Sequence, residues 1–164
     1  MLIENQLHIR RLTETGLPEM MEIQKDCFLE IYCEDVFVYD NLLTVFPDGA
    51  WGAFLDDKLI SYIFFHPYKT QTPKPLNSEL VLTGNEDCMY LHEIAVLSQY
   101  RLYGITKWLM SEFDDISKLY QMKYQSLVSV QNSMEFWKKK GFSVIRKVDE
   151  GGYEGGFLMS KDMV

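Results

Sequence analysis

The chain has 164 residues, of which 47% are hydrophobic and 24% are charged. These values fit one globular domain and exclude a disordered, collagen-like or coiled-coil body. The 16 basic and 24 acidic residues give a formal net charge of −8, which argues against nucleic-acid binding, because phosphate contacts need clustered lysines and arginines. There is no polybasic stretch for a membrane surface and no apolar run of the ~18 residues that a membrane span needs, so a cationic partner suits the charge better.

The first part of the sequence predicts a strand followed by two helices. Alternating apolar residues predict the strand over residues 6–12. Apolar residues at helical spacing predict a helix from Leu17 to Ile31. A second, short helix is predicted over residues 35–46, because Pro47 disfavours its continuation.

The middle of the sequence predicts strands. Two runs rich in aromatic and β-branched residues, over 49–55 and 59–68, predict a hairpin, and the polar residues 69–87 predict a long loop. Residues 88–97, CMYLHEIAVL, are apolar on both faces and predict a buried strand.

The last part alternates helices with strands. A turn leads into a helix predicted over residues 102–120, and a strand is predicted over 124–130. Asn132 or Ser133 caps a short helix that ends at Gly141, and two closing strands follow. This order predicts a mixed α/β layer fold with a central sheet, and the two late strand–helix–strand units indicate a local parallel pairing.

The cysteines and histidines indicate a reduced, metal-free protein. Cys27, Cys33 and Cys88 are scattered and odd in number, so reduced thiols in the cytoplasm are the simplest interpretation. The sequence MLIENQLHIRRL has neither an apolar signal core nor a small-residue cleavage site. No cluster of histidine, cysteine and carboxylate residues has metal-ligand spacing, so we expect a cytoplasmic chain without a bound metal.

The turn after the buried strand is the first candidate for chemistry. The N-terminus of a helix has free N–H groups and the positive end of the helix dipole, which together favour an anion such as pyrophosphate. Gly104 allows the backbone to approach a ligand closely, and Arg101 adds a positive charge. The alternative is that Gly104 only eases a tight turn and that Arg101 is solvated.

Two segments, LHEIAVLSQYRLYGITKWLM and the later NSMEFWKKKGF, resemble the GCN5-related N-acetyltransferase (GNAT) superfamily. The family's acetyl-CoA motif is matched by Val96 and by Arg101-x-x-Gly104-x-Thr106, and the late helix by Phe136 to Phe142. The resemblance covers nearly the whole chain. It implies a single α/β (α+β) domain over residues 1–164, with a central mixed, mostly antiparallel twisted sheet that is flanked by helices and splayed between its two central parallel strands.

Three residues depart from the family pattern. Ser98 replaces the usual proline, and Thr106 replaces a second glycine or alanine, although its hydroxyl can bond a phosphate oxygen. Trp137 stands where the family commonly has a tyrosine that protonates the leaving thiolate. Because an indole N–H does not titrate usefully, we expect Trp137 to be a wall of the cofactor channel or part of the core.

The resemblance implies acetyl-CoA as co-substrate. The backbone of the splayed strand would meet the thioester and the pantetheine arm, the turn would meet the pyrophosphate, and Asn132 would bond the pantetheine arm unless it only caps the helix. The lysines 138–140 end a helix, where cations are favoured in any case. The implied cofactor-binding residues are Ile94, Ala95, Val96, Arg101, Leu102, Tyr103, Gly104, Ile105, Thr106, Asn132 and Trp137.

Acetyl transfer to an amine needs a group that takes the amine's proton. Residues two apart in a strand share a face, so Tyr90 and His92 should point the same way and Glu93 the opposite way. The resemblance to arylalkylamine acetyltransferases, which carry histidines at both of these positions, favours His92 as the base, with Glu93 as the fallback and a structural histidine as the alternative. Tyr90, Tyr124 and water remain open as the acid.

The connection between the two early helices would shape the acceptor site in this family. It contains Glu30, Tyr32, Glu34 and Asp35, and carboxylates mixed with aromatic rings suit a cationic amine. The alternative is an ordinary solvated acidic surface.

The predicted function is therefore acetyl-CoA-dependent N-acetylation of a primary amine on a small, cationic acceptor by direct attack. Two alternatives remain: a catalytically weak acyl-CoA-binding sensor of the same fold, and an acetyltransferase for protein N-termini or lysines. Another acyl donor also remains open. We expect no nucleic-acid or membrane partner, and the exposed final strands are compatible with a homodimer.

Overall fold

The computed structural model describes residues 6–163 and contains a seven-stranded sheet. Its strands are β1 (Leu7–Arg11), β2 (Ala50–Leu55), β3 (Lys58–Tyr68), β4 (Cys88–Val96), β5 (Tyr124–Ser129), β6 (Ser143–Val148) and β7 (Gly156–Asp162). Its helices are α1 (Leu17–Cys27), α2 (Val36–Val45), α3 (Thr106–Leu119) and α4 (Met134–Lys139). Short 3₁₀ turns lie at Glu14–Gly16, Glu30–Tyr32, Pro47–Gly49 and Ser98–Tyr103.

The strand order is β1-β2-β3-β4-β5-β7-β6. The neighbouring strands pair antiparallel, except that β4 and β5 pair parallel. Helices α1 and α2 cover one face of the sheet, where Met20, Tyr39 and Leu42 pack against Tyr62 of β3. Helices α3 and α4 contribute to the second core on the other face. The predicted mixed, mostly antiparallel sheet flanked by helices is confirmed.

Strands β4 and β5 separate partway along their length. Their pairing runs from Cys88–Tyr124 to Leu91–Leu127, whereas β4 continues to Val96. Beyond Leu91, the edge of β4 that faces β5 has no strand partner among residues 6–163. The expected splay between the two central parallel strands is therefore present, and it leaves an open wedge in the middle of the sheet.

A β-bulge in β4 lies at the same position. Phe64 of β3 pairs with Glu93, but Phe65 pairs with Leu91, so His92 is an extra residue in the ladder. A bulge interrupts the alternation of side chains. The prediction that Glu93 points away from His92 is therefore wrong, because both side chains lie on the face that α1 and α2 cover, where each approaches Tyr39.

Helix α1 is shorter than predicted. It ends at Cys27 because Phe28 adopts an extended backbone conformation. Of the side chains that continue the helical periodicity, Phe28 is half-buried and Ile31 is 62% exposed, so burial favours a longer helix only weakly. The short helix α4 is preceded by Ser133 as its N-cap, because Asn132 has a left-handed φ of 60°. Among residues 6–163, none of the helices is both long and apolar enough to cross a membrane.

Candidate active site

A cavity of about 470 Å³ occupies the wedge between β4 and β5. Residues 91–96 of β4 line one side, and Leu127 and Val128 of β5 line the other. Phe136 and Trp137 of α4 and the segment that follows α1 complete the walls. The splay that opens the sheet thus also creates the space for a ligand.

The turn at one end of the cavity runs into the N-terminus of α3. Arg101 and Thr106 line the cavity, whereas the side chain of Leu102 is 99% exposed and that of Ile105 is buried in the core. The residues of this turn between Arg101 and Thr106 can therefore offer a ligand mainly their backbone. The free N–H groups at the start of a helix form a ready site for an anion.

Gly104 adopts a left-handed conformation with a φ of 69°. Apart from its two chain neighbours, none of the described residues has an atom within 4 Å of the place that a Cβ would occupy. The turn therefore favours glycine, and the approach to its backbone is open, so the two alternatives from the sequence are compatible with each other.

Replacing Gly104 by alanine should weaken binding of coenzyme A at least tenfold and lower the free energy of unfolding by about 1 kcal/mol, because an L-residue is strained in this conformation. Gly84 is a matched control, since its φ is 88° and the space around it is equally open, but it lies in the loop before β4 rather than in the turn before α3. Titration calorimetry with coenzyme A should separate the two variants, and an equal affinity for both would contradict the importance of the turn.

Arg101 is turned back towards the end of β4. Its Nε donates to the Val96 carbonyl oxygen at 3.2 Å, and its Nη2 lies 3.5 Å from Cys27 Sγ. The Cys27 thiol also donates to the Val96 oxygen at 3.1 Å. Burial raises the pKa of Cys27, although the neighbouring guanidinium opposes this shift. The positive charge of Arg101 thus lies on the cavity wall and is held there by the end of the strand.

Trp137 is both a wall of the cavity and part of the core, which combines the two roles that the sequence left open. It is 7% exposed and makes edge contacts with Phe136 and Phe142. Asn132 is exposed and is absent from the described residues that line the cavity, in contrast to its neighbours Gln131 and Ser133.

The opposite end of the cavity contains a buried cluster of ionisable groups. His92 Nε2 lies 2.7 Å from Glu34 Oε1, and the two side chains are 0% and 3% exposed. Burial alone would raise the pKa of Glu34, but the His92 ring, the Asn77 N–H and Lys74 together lower it below its ordinary value. Neither ring nitrogen of His92 makes a hydrogen bond of standard geometry to the described residues. Nε2 is close to Glu34 Oε1 without being aligned with it, and Nδ1 is buried without a partner.

Glu93 lies in the same cluster but is already fully hydrogen-bonded. Tyr62 donates to its Oε1 at 2.6 Å, and the Tyr39 hydroxyl contacts its Oε2. Burial raises the pKa of Glu93 to about 7, against the opposing effects of His92 and the two tyrosines.

The contacts of the Tyr39 hydroxyl bear on the protonation state of Glu93. It contacts both Glu93 Oε2 and, at 2.5 Å, Gln24 Oε1. The Gln24 amide is oriented by Glu34, because its Nε2 donates to the Glu34 carbonyl and its Oε1 accepts the Glu34 N–H. Since one hydroxyl has one proton and Gln24 Oε1 has none, the contact with Glu93 is satisfied best when Glu93 itself is protonated.

Tyr90 lies beside this cluster but not on the cavity wall that the described residues form. Its hydroxyl is 3.4 Å from that of Tyr153 and accepts the Lys74 N–H at 3.3 Å. Burial raises the pKa of Tyr90. The sequence predicted that Tyr90 and His92 share a face, and they do, but only His92 reaches the cavity.

The predicted acceptor residues separate into buried and exposed ones. Glu34 is buried against His92, whereas Glu30 and Asp35 are exposed. Tyr32 lines the cavity and donates its hydroxyl proton to the Glu154 carbonyl at 2.8 Å.

Like Tyr32, Gln131 makes hydrogen bonds that link the segment after α1 to a distant part of the chain. Its Oε1 accepts the Leu29 N–H at 2.7 Å, and its Nε2 donates to the Cys27 carbonyl at 3.2 Å. Sequence reasoning missed Gln131, Tyr153 and the Gln24–Tyr39 pair, because isolated polar residues on separate elements leave no local pattern.

Glu34, His92 and Glu93 offer ligand atoms that all lie within 4.8 Å of one another, so their geometry is compatible with a metal ion. Their oxygens already accept hydrogen bonds from Tyr62 and the Asn77 N–H. The sequence shows no such cluster because Glu34 lies far along the chain from His92 and Glu93, and the expected absence of a metal remains a prediction.

The family model and the curated relative that match this chain both describe acetyltransferases. The family model "Acetyltransferase (GNAT) family" matches residues 17–142. A curated relative, the "Uncharacterized N-acetyltransferase YkwB" of Bacillus subtilis (strain 168), is 24% identical over 124 residues, which cover 68% of this chain and 55% of that protein. The chain therefore spans about half the length of this relative.

Comparison with solved structures shows the fold. Ard1 from Thermoplasma volcanium has a TM-score of 0.79 at 14% identity, with 97% of this chain and 99% of that chain covered. The PaiA N-acetyltransferase from Thermoplasma acidophilum, solved in complex with coenzyme A, has a TM-score of 0.70 at 21% identity, with 96% and 99% covered. The likeness extends over almost the whole of both structures.

Proposed function

Because this chain belongs to the acetyltransferase (GNAT) family, we propose that it transfers the acetyl group of acetyl-CoA to the primary amine of a small, cationic acceptor. One observation carries this proposal: a single cavity joins the turn at the N-terminus of α3 to the buried His92 side chain. An anion site and a candidate base thus lie at the two ends of one space, as direct transfer between two bound substrates requires.

The donor end of the cavity suits coenzyme A. The helix N-terminus, the open space over Gly104 and the charge of Arg101 favour a pyrophosphate. The solved neighbour PaiA is a complex with coenzyme A. Beyond Leu91, the edge of β4 that lacks a strand partner can offer backbone N–H groups to the thioester oxygen, which gains charge in the transition state.

His92 suits the role of the base better than Glu93. Its Nδ1 has no hydrogen-bond partner among the described residues, whereas both oxygens of Glu93 are engaged by tyrosine hydroxyls. In the proposed reaction, His92 takes a proton from the acceptor ammonium, the neutral amine attacks the thioester carbonyl, and the C–S bond breaks. As the amide forms, the attacking nitrogen loses a second proton, and we propose that a water molecule, rather than Tyr90 or Trp137, passes this proton to the leaving thiolate.

The acceptor end suits a small cation. The rings of Phe28, Tyr32 and Tyr153 lie on its walls and offer cation–π contacts. The exposed carboxylates of Glu30 and Asp35 lie in the same connecting segment. The Tyr32–Glu154 and Leu29–Gln131 hydrogen bonds bridge this side, which favours a compact acceptor over an extended peptide.

A panel of amines with acetyl-CoA tests the proposal. It should contain polyamines, amino-acid-derived amines, aminoglycosides, neutral and anionic amines, and peptides with free N-termini. Release of the coenzyme A thiol should be fastest with small cationic amines.

Preference for neutral or anionic amines would contradict the charge argument, and preference for peptides would make the chain an N-terminal acetyltransferase. Binding of acetyl-CoA without turnover on any amine would favour the sensor.

A further inference from the structure

The carboxylate of Glu34 faces inwards from an exposed, acidic connection. Its neighbours Glu30 and Asp35 are exposed, but its own side chain is only 3% exposed. A buried carboxylate is costly unless it is paired and hydrogen-bonded. The partners of Glu34 therefore indicate what this residue is for.

Both oxygens of Glu34 are in use. Oε1 lies 2.7 Å from His92 Nε2, although the ring N–H is not aligned with this oxygen as in a standard hydrogen bond, and Oε2 accepts the Asn77 N–H at 2.9 Å. An unprotonated Nε2 at this distance would place its lone pair against those of the carboxylate, so the contact favours a proton on Nε2. These two partners leave lone pairs of the carboxylate free, but with only 3% of the side chain exposed, little of it is within reach of an acceptor ammonium. Glu34 is thus a poor candidate for the cation-binding role that the sequence predicted.

The backbone of Glu34 is held as firmly as its side chain. The side-chain amide of Gln24 makes two hydrogen bonds to this backbone: Nε2 donates to the Glu34 carbonyl at 3.0 Å, and Oε1 accepts the Glu34 N–H at 3.1 Å. Gln24 is 1% exposed and lies on α1. The carboxylate is therefore fixed in place before any substrate arrives.

We propose that Glu34 is a positioning residue for His92: it accepts the proton on Nε2, so that the lone pair of the imidazole lies on Nδ1. This inference rests on the proposed function. When Nδ1 takes the acceptor's proton, the ring becomes an imidazolium with a proton on each nitrogen, and its positive charge lies next to the Glu34 carboxylate. A carboxylate in this arrangement orients the ring and stabilises the charge that forms on it, without becoming protonated itself.

Replacement of Glu34 by glutamine tests the proposal in the whole chain. The Glu34→Gln amide keeps an oxygen that can accept a hydrogen bond but loses the charge. We expect kcat to fall at least tenfold while the KM values for the amine and acetyl-CoA stay nearly unchanged. Glu22→Gln is the matched control, because Glu22 is an exposed carboxylate on α1, and its kinetics should equal those of the unmodified chain.

An increase in KM for cationic amines, with kcat unchanged, would overturn the proposal and return Glu34 to a substrate-binding role. An unchanged kcat and KM would overturn it as well.

A spectroscopic test keeps the inference separate from the proposed function. In ¹⁵N spectra of the unmodified chain without any acceptor, we expect the neutral His92 ring to carry its proton on Nε2. A proton on Nδ1 would overturn the inference. This measurement needs neither turnover nor a folded variant. If the expected tautomer is found but no amine is acetylated, the proposed function fails while the Glu34–His92 arrangement remains.

Discussion

Replacing His92 by glutamine should lower turnover of the best acceptor by about a hundredfold to ten-thousandfold, while the affinity for acetyl-CoA stays unchanged. The reason is chemical: glutamine can still donate to Glu34, but it cannot take the proton of the acceptor ammonium. Because His92 lies at the opposite end of the cavity from the turn, we expect its replacement to leave the coenzyme A contacts intact. Thiol release measures the first quantity and titration calorimetry the second.

His66 provides the matched control for this variant. It is also a buried histidine, and its ring centre lies 5.8 Å from that of His92, but it is absent from the described residues that line the cavity. His66→Gln should therefore fold about as well as His92→Gln and keep its turnover. Thermal unfolding of both variants checks the first point. Near-normal turnover in His92→Gln, or an equal loss in His66→Gln, would exclude His92 as the base.

Replacing Glu93 by glutamine should make the protein more stable at pH 8 than the unmodified chain, by up to about 3 kcal/mol. Burial raises the pKa of Glu93 from its ordinary value of 4.5 to about 7, so the folded state holds a proton that the unfolded state releases. The stability that this proton gives is complete below pH 4.5, decreases as the pH rises from about 4.5 to 7, and is absent above that range.

The Glu93→Gln side chain imitates the protonated acid. Its amide can donate to the Tyr39 oxygen and accept from Tyr62, as the protonated carboxyl does, but it cannot ionise. Chemical denaturation of both proteins between pH 4.5 and 8.5 should give a difference in unfolding free energy that grows up to about pH 7 and then levels off. A constant difference across this range would mean that Glu93 is ionised in the folded protein throughout.

Most of the fold could be predicted from local sequence patterns. The alternation of apolar residues predicts β1, the runs of aromatic and β-branched residues predict β2 and β3, and helical spacing predicts α1 and α3. The prediction was wrong at the end of α1. Ile31 continues the helical periodicity, but it is exposed and lies in a separate 3₁₀ turn.

Part of the cavity could also be predicted. The turn with Arg101 and Gly104 is local in the chain, because a strand, a left-handed glycine and a helix N-terminus follow one another in sequence. His92 was found through its place on the central strand. Glu34 was found as well, but as a group for the substrate, because nothing in the sequence shows that its carboxylate turns inwards to a histidine on another element.

The sequence by itself determined most of the elements, the family resemblance and the glycine turn before α3, because each of these depends on residues close together in the chain. Only the tertiary structure decided the chemistry at the acceptor end. A one-residue bulge at His92 moves Glu93 to the same face, and the α1–α2 connection brings Glu34 within 2.7 Å of His92. Such contacts arise from strand register and from packing between distant segments. The strand or helix periodicity of apolar residues does not indicate either of these.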